Sequence, residues 1–306
     1  MLDPRKSFLM VHVSCSRFSF LAFCVLTAGG LFQHSSLAEE TLESAETSLE
    51  LVTEAYELFE AGQIERALEG FNEALEKDAS SVVARLGQAM IYQEQQRHQE
   101  AFDSYDFIVQ RHPSHAFAWN GRGLAAYNLE DFDLALTSFK QATADEPVNG
   151  YFYESMAWTY MCRGEFPEAA IAARQATLMY NQNGEIPAYP LLIAYFAQIQ
   201  TGDKDDARRT LNYARQNRIP NEAWPSPIFE YLSGKFSASE LISHVKDRAQ
   251  ETEAHTYIGM HLRSLGENEK GAAHLDWVAA HGDQRVFEYT LARSLKASNG
   301  VALATP

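Results

Sequence analysis

The sequence predicts an all-α solenoid of about six helix-turn-helix repeats closed by a C-terminal capping helix. Three observations carry this. In the stretch 116–147, Trp119, Gly123 and Ala126 fall at i, i+4 and i+7, and Ala135, Phe139 and Ala142 do the same, so each set forms one stripe of a helix. The polar run Asn128 to Asp131 interrupts the apolar period between them, and Pro147 cannot continue the second helix. The third observation is recurrence. Steps of about 34 residues back from Gly123, Ala135, Phe139 and Ala142 reach Ala89, Ala101, Tyr105 and Ile108, then Ala55, Ala67, Phe71 and Ala74. A step forward reaches Ala157, Ala169, Ala173 and Ala176. Small residues at these positions let antiparallel helices approach, and the aromatic residues fill the space beside them.

The order of Trp, Gly, a small or aromatic residue, a turn, then Ala, Phe, Ala and Pro resembles the tetratricopeptide repeat. That resemblance implies a right-handed α-solenoid that binds a protein or peptide.

The chain opens on what reads as a secretory signal peptide, residues 1–38. Arg5, Lys6 and Arg17 precede an apolar run from Phe18 to Phe32, and Ser36-Leu37-Ala38 forms a small-residue site, so cleavage is expected after Ala38. The run, about 15 residues, is shorter than a membrane-spanning helix needs, and no transmembrane span is expected in the mature chain. Met10 is an alternative start. Lipid anchoring at Cys24 is not expected, because Phe23 stands where an attachment box needs a small residue and the apolar run continues past the cysteine. The protein is therefore expected to be exported, to the periplasm or the extracellular space.

An acidic lead-in, residues 39–47, is expected to be loose. The repeats then follow over 48–81, 82–115, 116–149, 150–183 and 188–216, with Gly62, Gly164 and Gly202 in turns and the polar run Glu94 to Gln96 replacing the turn glycine of the second. Tyr195 stands where the fifth repeat should carry a small residue. Residues 217–250 form an irregular Trp-Pro segment plus a helix. Pro220, Pro225 and Pro227 surround Trp224, and Ser237 with Glu240 spells a capping box for a helix through Leu241 and Val245. Residues 252–297 hold the last repeat, with Gly259, Gly266 and Gly271, and an amphipathic helix, Val286 to Leu295, expected to cover the end of the stack. Residues 298–306 are expected to be a disordered tail. The sequence of Trp-Pro segment, Tyr231-Leu232-x-Gly234 stop, capped helix, distant repeat and closing helix is similar to the NlpI-type group of bacterial envelope repeat proteins. This implies an adaptor outside the inner membrane that brings envelope hydrolases or proteases to their targets, with a homodimer as one arrangement.

Net charge is −16, and −18 once residues 1–38, with three basic residues and one acidic, are removed. Nucleic acid and anionic lipid, which demand positive surface, are poor partners for such a chain. Acidic helix faces keep it soluble or steer a basic partner. With Cys15 and Cys24 in the leader, Cys162 stands alone, either as a packing residue or as half of an intermolecular disulfide.

In stacked two-helix repeats the first helices line the concave surface, on a stripe offset from the packing stripe. That stripe reads Leu49, Val52, Tyr56 and Phe59, then Val83, Leu86, Met90 and Gln93. It continues as Phe117, Asn120, Leu124 and Tyr127, then Tyr151, Glu154, Trp158 and Met161. Tyr56, Phe59, Met90, Phe117, Asn120, Tyr127, Tyr151, Glu154 and Trp158 are the candidate peptide-binding residues, with packing between adjacent repeats as the alternative. No Lys or Arg lies on the stripe, so a two-cation clamp for a C-terminal carboxylate is not expected. If the groove binds, replacing Trp158 and Tyr127 by Ser is expected to abolish capture of the partner with helical content intact.

No catalytic constellation, cofactor or metal site is expected. Gly121-Arg122-Gly123 sits inside a helix with no strand before it and fails as a dinucleotide loop. His112 and His115 flank a loop proline, and His255, His261, His274 and His281 match no zinc spacing. The expected function is a non-enzymatic scaffold. The alternative is an enzyme, with His244 as a candidate, or a small-molecule-binding subunit, using 217–250.

Overall fold

The computed structural model describes residues 32–217 and 223–297, with side chains from residue 46 onward. The first 31 residues, which hold most of the expected leader, and the tail 298–306 lie outside the described residues. The chain divides into Met1–Glu43 and Ser44–Pro306. The first unit contributes only the beginning of a helix to the description.

The described residues form fifteen α-helices and no strand. They are α1 (Phe32–Glu60), α2 (Ile64–Lys77), α3 (Val82–Glu94), α4 (His98–Arg111), α5 (Ala116–Asn128), α6 (Phe132–Asp145), α7 (Gly150–Arg163), α8 (Phe166–Gln182), α9 (Ala188–Gln200) and α10 (Lys204–Gln216). After the break come α11 (Ser226–Leu232), α12 (Ala238–Ser243), α13 (Arg248–Ser264), α14 (Asn268–His281) and α15 (Phe287–Ala297). Each helix from α2 to α10 packs on its neighbours in chain order, which makes the second unit an α-solenoid.

Local chemistry sets the helix ends. Ser81, Asp131, Asn149, Asp203 and Asp247 each accept a backbone N–H of the first turn that they cap. Ser237 and Glu240 complete a reciprocal capping box, although the helix they start ends at Ser243, short of Val245. The turn inside each of the first four repeats places one residue in the left-handed region at a constant spacing: Gly62 at φ 73°, Gln96 at 59°, Glu130 at 62° and Gly164 at 73°. The geometry of the turn is thus kept even where glycine, which favours it, is replaced.

One segment departs from expectation. Residues 39–47, expected to be loose, lie within α1, as does Ala38. The reason is composition: Glu, Ala and Leu dominate there and no Gly or Pro interrupts them.

Aromatic residues of the second helices sit over backbone that lacks a side chain. A Cβ on Gly87 would meet Phe71 Cζ at 2.3 Å, one on Gly121 would meet Tyr105 Cζ at 2.4 Å, and one on Gly123 would meet Phe139 Cε1 at 2.5 Å. Phe71, Tyr105 and Phe139 are buried, Phe71 and Tyr105 each on a glycine of the following repeat. Gly121-Arg122-Gly123 is therefore a packing element of α5. Arg122 ties the layer together, its Nε donating to Asp106 Oδ1 at 2.7 Å and its Nη1 to Ser138 Oγ at 2.7 Å. Gly123→Ala is expected to lower stability by about 1–3 kcal/mol, because the Phe139 ring must move to admit the methyl group. Urea unfolding checks this: an unchanged midpoint would mean the ring has room to retreat.

Candidate functional site

The concave stripe of the first helices divides into an open half and a closed half. On α1 and α3, Leu49 is 64% exposed and Val83 47% exposed, while Tyr56, Phe59, Leu86 and Met90 are half-buried. The Tyr56 hydroxyl donates to the Val83 carbonyl at 3.2 Å and its ring meets Phe71 edge-on, so α1 and α3 present one continuous strip. Burial pushes the Tyr56 phenol up to about 12. It remains a neutral donor at any physiological pH. Phe117 and Tyr151 are also half-buried.

The other candidates are not available to a ligand. Tyr127 and Trp158 are each 1% exposed, and Asn120 and Glu154 are 3% and 5% exposed. The chain itself covers part of this half. α15 lies against α7, and Phe287 at its start stacks on Trp158 with ring centroids 5.8 Å apart and meets Tyr127 edge-on at 5.0 Å. The Tyr127 hydroxyl donates to the Phe287 carbonyl at 2.9 Å. Arg293 pairs with Glu130 at 2.9 Å. The closing helix thus packs on α7 as well as on α13 and α14 and covers Tyr127 and Trp158 of the stripe. Glu154 is held in place, accepting from Tyr180 Oη at 2.9 Å and from Trp158 Nε1 at 3.4 Å. The Asn120 Oδ1 is buried and meets no hydrogen-bond donor. Phe287 carries no periodic mark in the sequence, and nothing there points to its partners.

Cys162 is buried, in hydrogen-bond reach of the Tyr127 hydroxyl at 3.3 Å. Burial pushes its thiol up to about 12, so it packs as a neutral small side chain and is no candidate for an intermolecular disulfide in the folded state.

The irregular segment is tied to the last repeat through a buried carboxylate. Glu253 accepts from Trp224 Nε1 at 2.7 Å and from Tyr189 Oη at 3.1 Å. His244 is exposed, stacked on Phe236 at 4.9 Å, with Nδ1 2.8 Å from the Glu240 carbonyl of its own turn. These contacts give Trp224 and His244 packing roles.

Of the four C-terminal histidines, the fold joins two directly. His255 Nδ1 and His274 Nδ1 lie 3.0 Å apart, and His255 stacks on Trp277 at 4.0 Å, which His281 also flanks. His261 faces Tyr231 instead. Among the described residues no group of three or more potential ligands converges on a metal position. None of their helices is long and apolar enough to cross a membrane. Burial, then the neighbouring His274, depresses His255 to about 4, and burial lowers His274 as well.

Trp158→Ser is expected to cost about 3–5 kcal/mol, as for other buried aromatic truncations, and to speed hydrogen exchange across α15. Tyr127→Phe should cost only about 1 kcal/mol. Unaltered exchange in α15 of the Trp158 variant would show that Phe287 does not hold the helix. For His255 the unfolded chain binds a proton near pH 6.5 and the folded chain only near 4, and burial lowers His274 in the same direction. Stability should therefore be full above about pH 6.5 and fall as pH drops toward 4. His255→Gln should remove part of that slope in thermal unfolding scans, and parallel slopes for both proteins would refute the assignment.

The sequence matches the tetratricopeptide repeat family over residues 52–116 and 120–185. Among curated proteins none matches. The fold is similar to that of a tetratricopeptide repeat protein from Parabacteroides merdae, with 15% identity and a TM-score of 0.59 over 82% of this chain and 99% of that one. It is also similar to a MamA protein, with 17% identity and a TM-score of 0.53 over 63% and 97% of the two chains. MamA of Desulfovibrio magneticus, from its residue 41 to the end, gives 14% identity and a TM-score of 0.53 over 58% and 98%. At these identities the likeness shows the fold alone. The family match is confined to residues 52–116 and 120–185, and the second unit is an all-α solenoid whose fold is similar to that of a tetratricopeptide repeat protein.

Proposed function

We propose that this protein is an exported, non-enzymatic scaffold that holds a protein partner on the concave strip of its first two repeats. The observation that carries the reading is the division of the groove. On repeats three and four Asn120, Tyr127, Glu154 and Trp158 are buried, in part beneath α15, whereas α1 and α3 carry exposed Leu49 and Val83 beside half-buried Tyr56, Phe59, Leu86 and Met90. Large apolar side chains scattered singly over a surface need no explanation, but a joined strip marks a contact site. Tetratricopeptide repeats supply such rigid concave surfaces without chemistry of their own.

Export rests on the basic residues, apolar run and Ala38 site of the leader, and places the scaffold in the periplasm or the extracellular space. The similarity of 217–297 to NlpI-type proteins supports a role in cell-envelope assembly or turnover. An enzyme or small-molecule-binding subunit centred on 217–250 has weaker support, because Trp224 and His244 are engaged in packing.

Affinity capture from envelope extract tests the scaffold reading. The chain from Glu39 to Pro306 is compared with a Leu49→Asp, Val83→Asp variant, whose replaced side chains are exposed and whose helical content should be unchanged. One or two proteins lost in the variant are expected. Equal recovery with both would move the site off the strip.

A further inference from the structure

We infer that the strip on α1 and α3 takes a cationic amphipathic helix of its partner, an inference that rests on the scaffold reading above. Three features of the strip specify this occupant.

The first is the spacing of its side chains. Leu49 and Tyr56 lie seven residues apart on α1, with Val52 between them buried in the core, and Val83, Leu86 and Met90 stand at i, i+3 and i+7 on α3. Both sets run along their helix axes, and the Tyr56 to Val83 hydrogen bond sets the two helices side by side. Such paired ridges leave a furrow between them that an incoming helix can fill with its own i, i+4, i+7 side chains.

The second is the charge at one end of the furrow. Glu60 and Glu94 each follow the strip by one helical turn, four residues after Tyr56 and Met90. Both carboxylates are on exposed residues at the same place in successive repeats. The guanidinium of Arg285, which feels the charge of Glu94, is already engaged by Asp283 through bonds of 2.9 and 2.6 Å.

The third is the field around the furrow. Residues 48–81 carry nine acidic and two basic side chains, a net −7 within a chain whose total is −16. Glu50, Glu54 and Glu57 on α1 and Glu65, Glu69, Glu73 and Glu76 on α2 spread that charge over the repeat that opens the furrow. A partner helix with an apolar face and lysines or arginines beside it would be steered there by the field and anchored by the apolar side chains. An acidic or neutral segment would gain only the second term.

Defined peptides provide the test. A labelled helical peptide of about 18 residues, with Leu at i, i+4, i+7 and i+11 and Lys on the other positions, is titrated with the full chain by fluorescence anisotropy. Its Lys-to-Glu counterpart and a scrambled Leu/Lys peptide serve as controls. The cationic amphipathic peptide is expected to bind, to lose about tenfold or more in affinity with Leu49→Asp, Val83→Asp, and to show a weaker salt dependence with Glu60→Gln, Glu94→Gln. Equal binding of the Glu counterpart would overturn the charge argument and leave the apolar strip standing. Equal binding of the scrambled peptide, or indifference to Leu49→Asp, Val83→Asp, would overturn the proposal by showing unspecific attraction. If no peptide binds while envelope capture still depends on Leu49 and Val83, this inference fails and the scaffold reading survives. If the double Asp variant instead changes the oligomeric state in sedimentation, the occupant is a second copy of this chain and the inference is again overturned.

Discussion

An aromatic ring seated on bare backbone is the constraint from which the rest of this structure follows. Phe71, Tyr105 and Phe139 each occupy the volume that a Cβ would take on Gly87, Gly121 and Gly123. The first two contacts join one repeat to the next, so the ring sets the separation and tilt of successive units. A buried aromatic contributes a few kcal/mol through area removed from water, and here that energy is available only if the neighbouring helix carries no side chain at the contact. Repetition of one contact at one spacing yields successive first helices that face the same way. The concave stripe is a consequence of that packing, and any binding surface it offers is inherited from it.

The stripe does not stay uniform along the array. In the first two repeats it ends in water and in the carboxylates of Glu60 and Glu94. In the third and fourth it ends against α15, with Phe287 touching both Tyr127 and Trp158. The C-terminal half is held by buried carboxylates that would be costly without partners. Glu154 takes the Tyr180 hydroxyl, Glu253 takes Trp224 and Tyr189, and Glu288, fully buried, takes the Tyr257 hydroxyl at 2.8 Å. Charge-assisted bonds of this kind fix geometry as well as energy. They lock the irregular segment, the last repeat and α15 into one arrangement, and so decide which part of the groove remains available.

Different levels of structure were legible to different degrees. Helix pairs, turns and small-residue contacts could be read from spacing, because each depends on residues within a few turns of one another. The left-handed turn positions at Gln96 and Glu130 were harder to read, since neither residue advertises the conformation that its place in the repeat imposes. The looseness expected of 39–47 was wrong because acidity was weighed above the helix propensity of Glu, Ala and Leu. For the candidate groove residues the sequence leaves two readings open, a binding face or packing between adjacent repeats. Tyr56, Phe59 and Met90 are reachable, whereas Tyr127, Glu154 and Trp158 belong to the interior.

The sequence by itself determined the repeat, its period, the stripe that turns inward and the acidity of the first repeat, since all of these follow from periodicity and composition. Only the tertiary structure decided where the stripe meets solvent. Tyr127 and Phe287, joined by a hydrogen bond, stand 160 residues apart. No local period relates positions so distant, and a half-buried phenylalanine at the start of a short helix looks the same whether it faces water, the end of a stack or the floor of a groove.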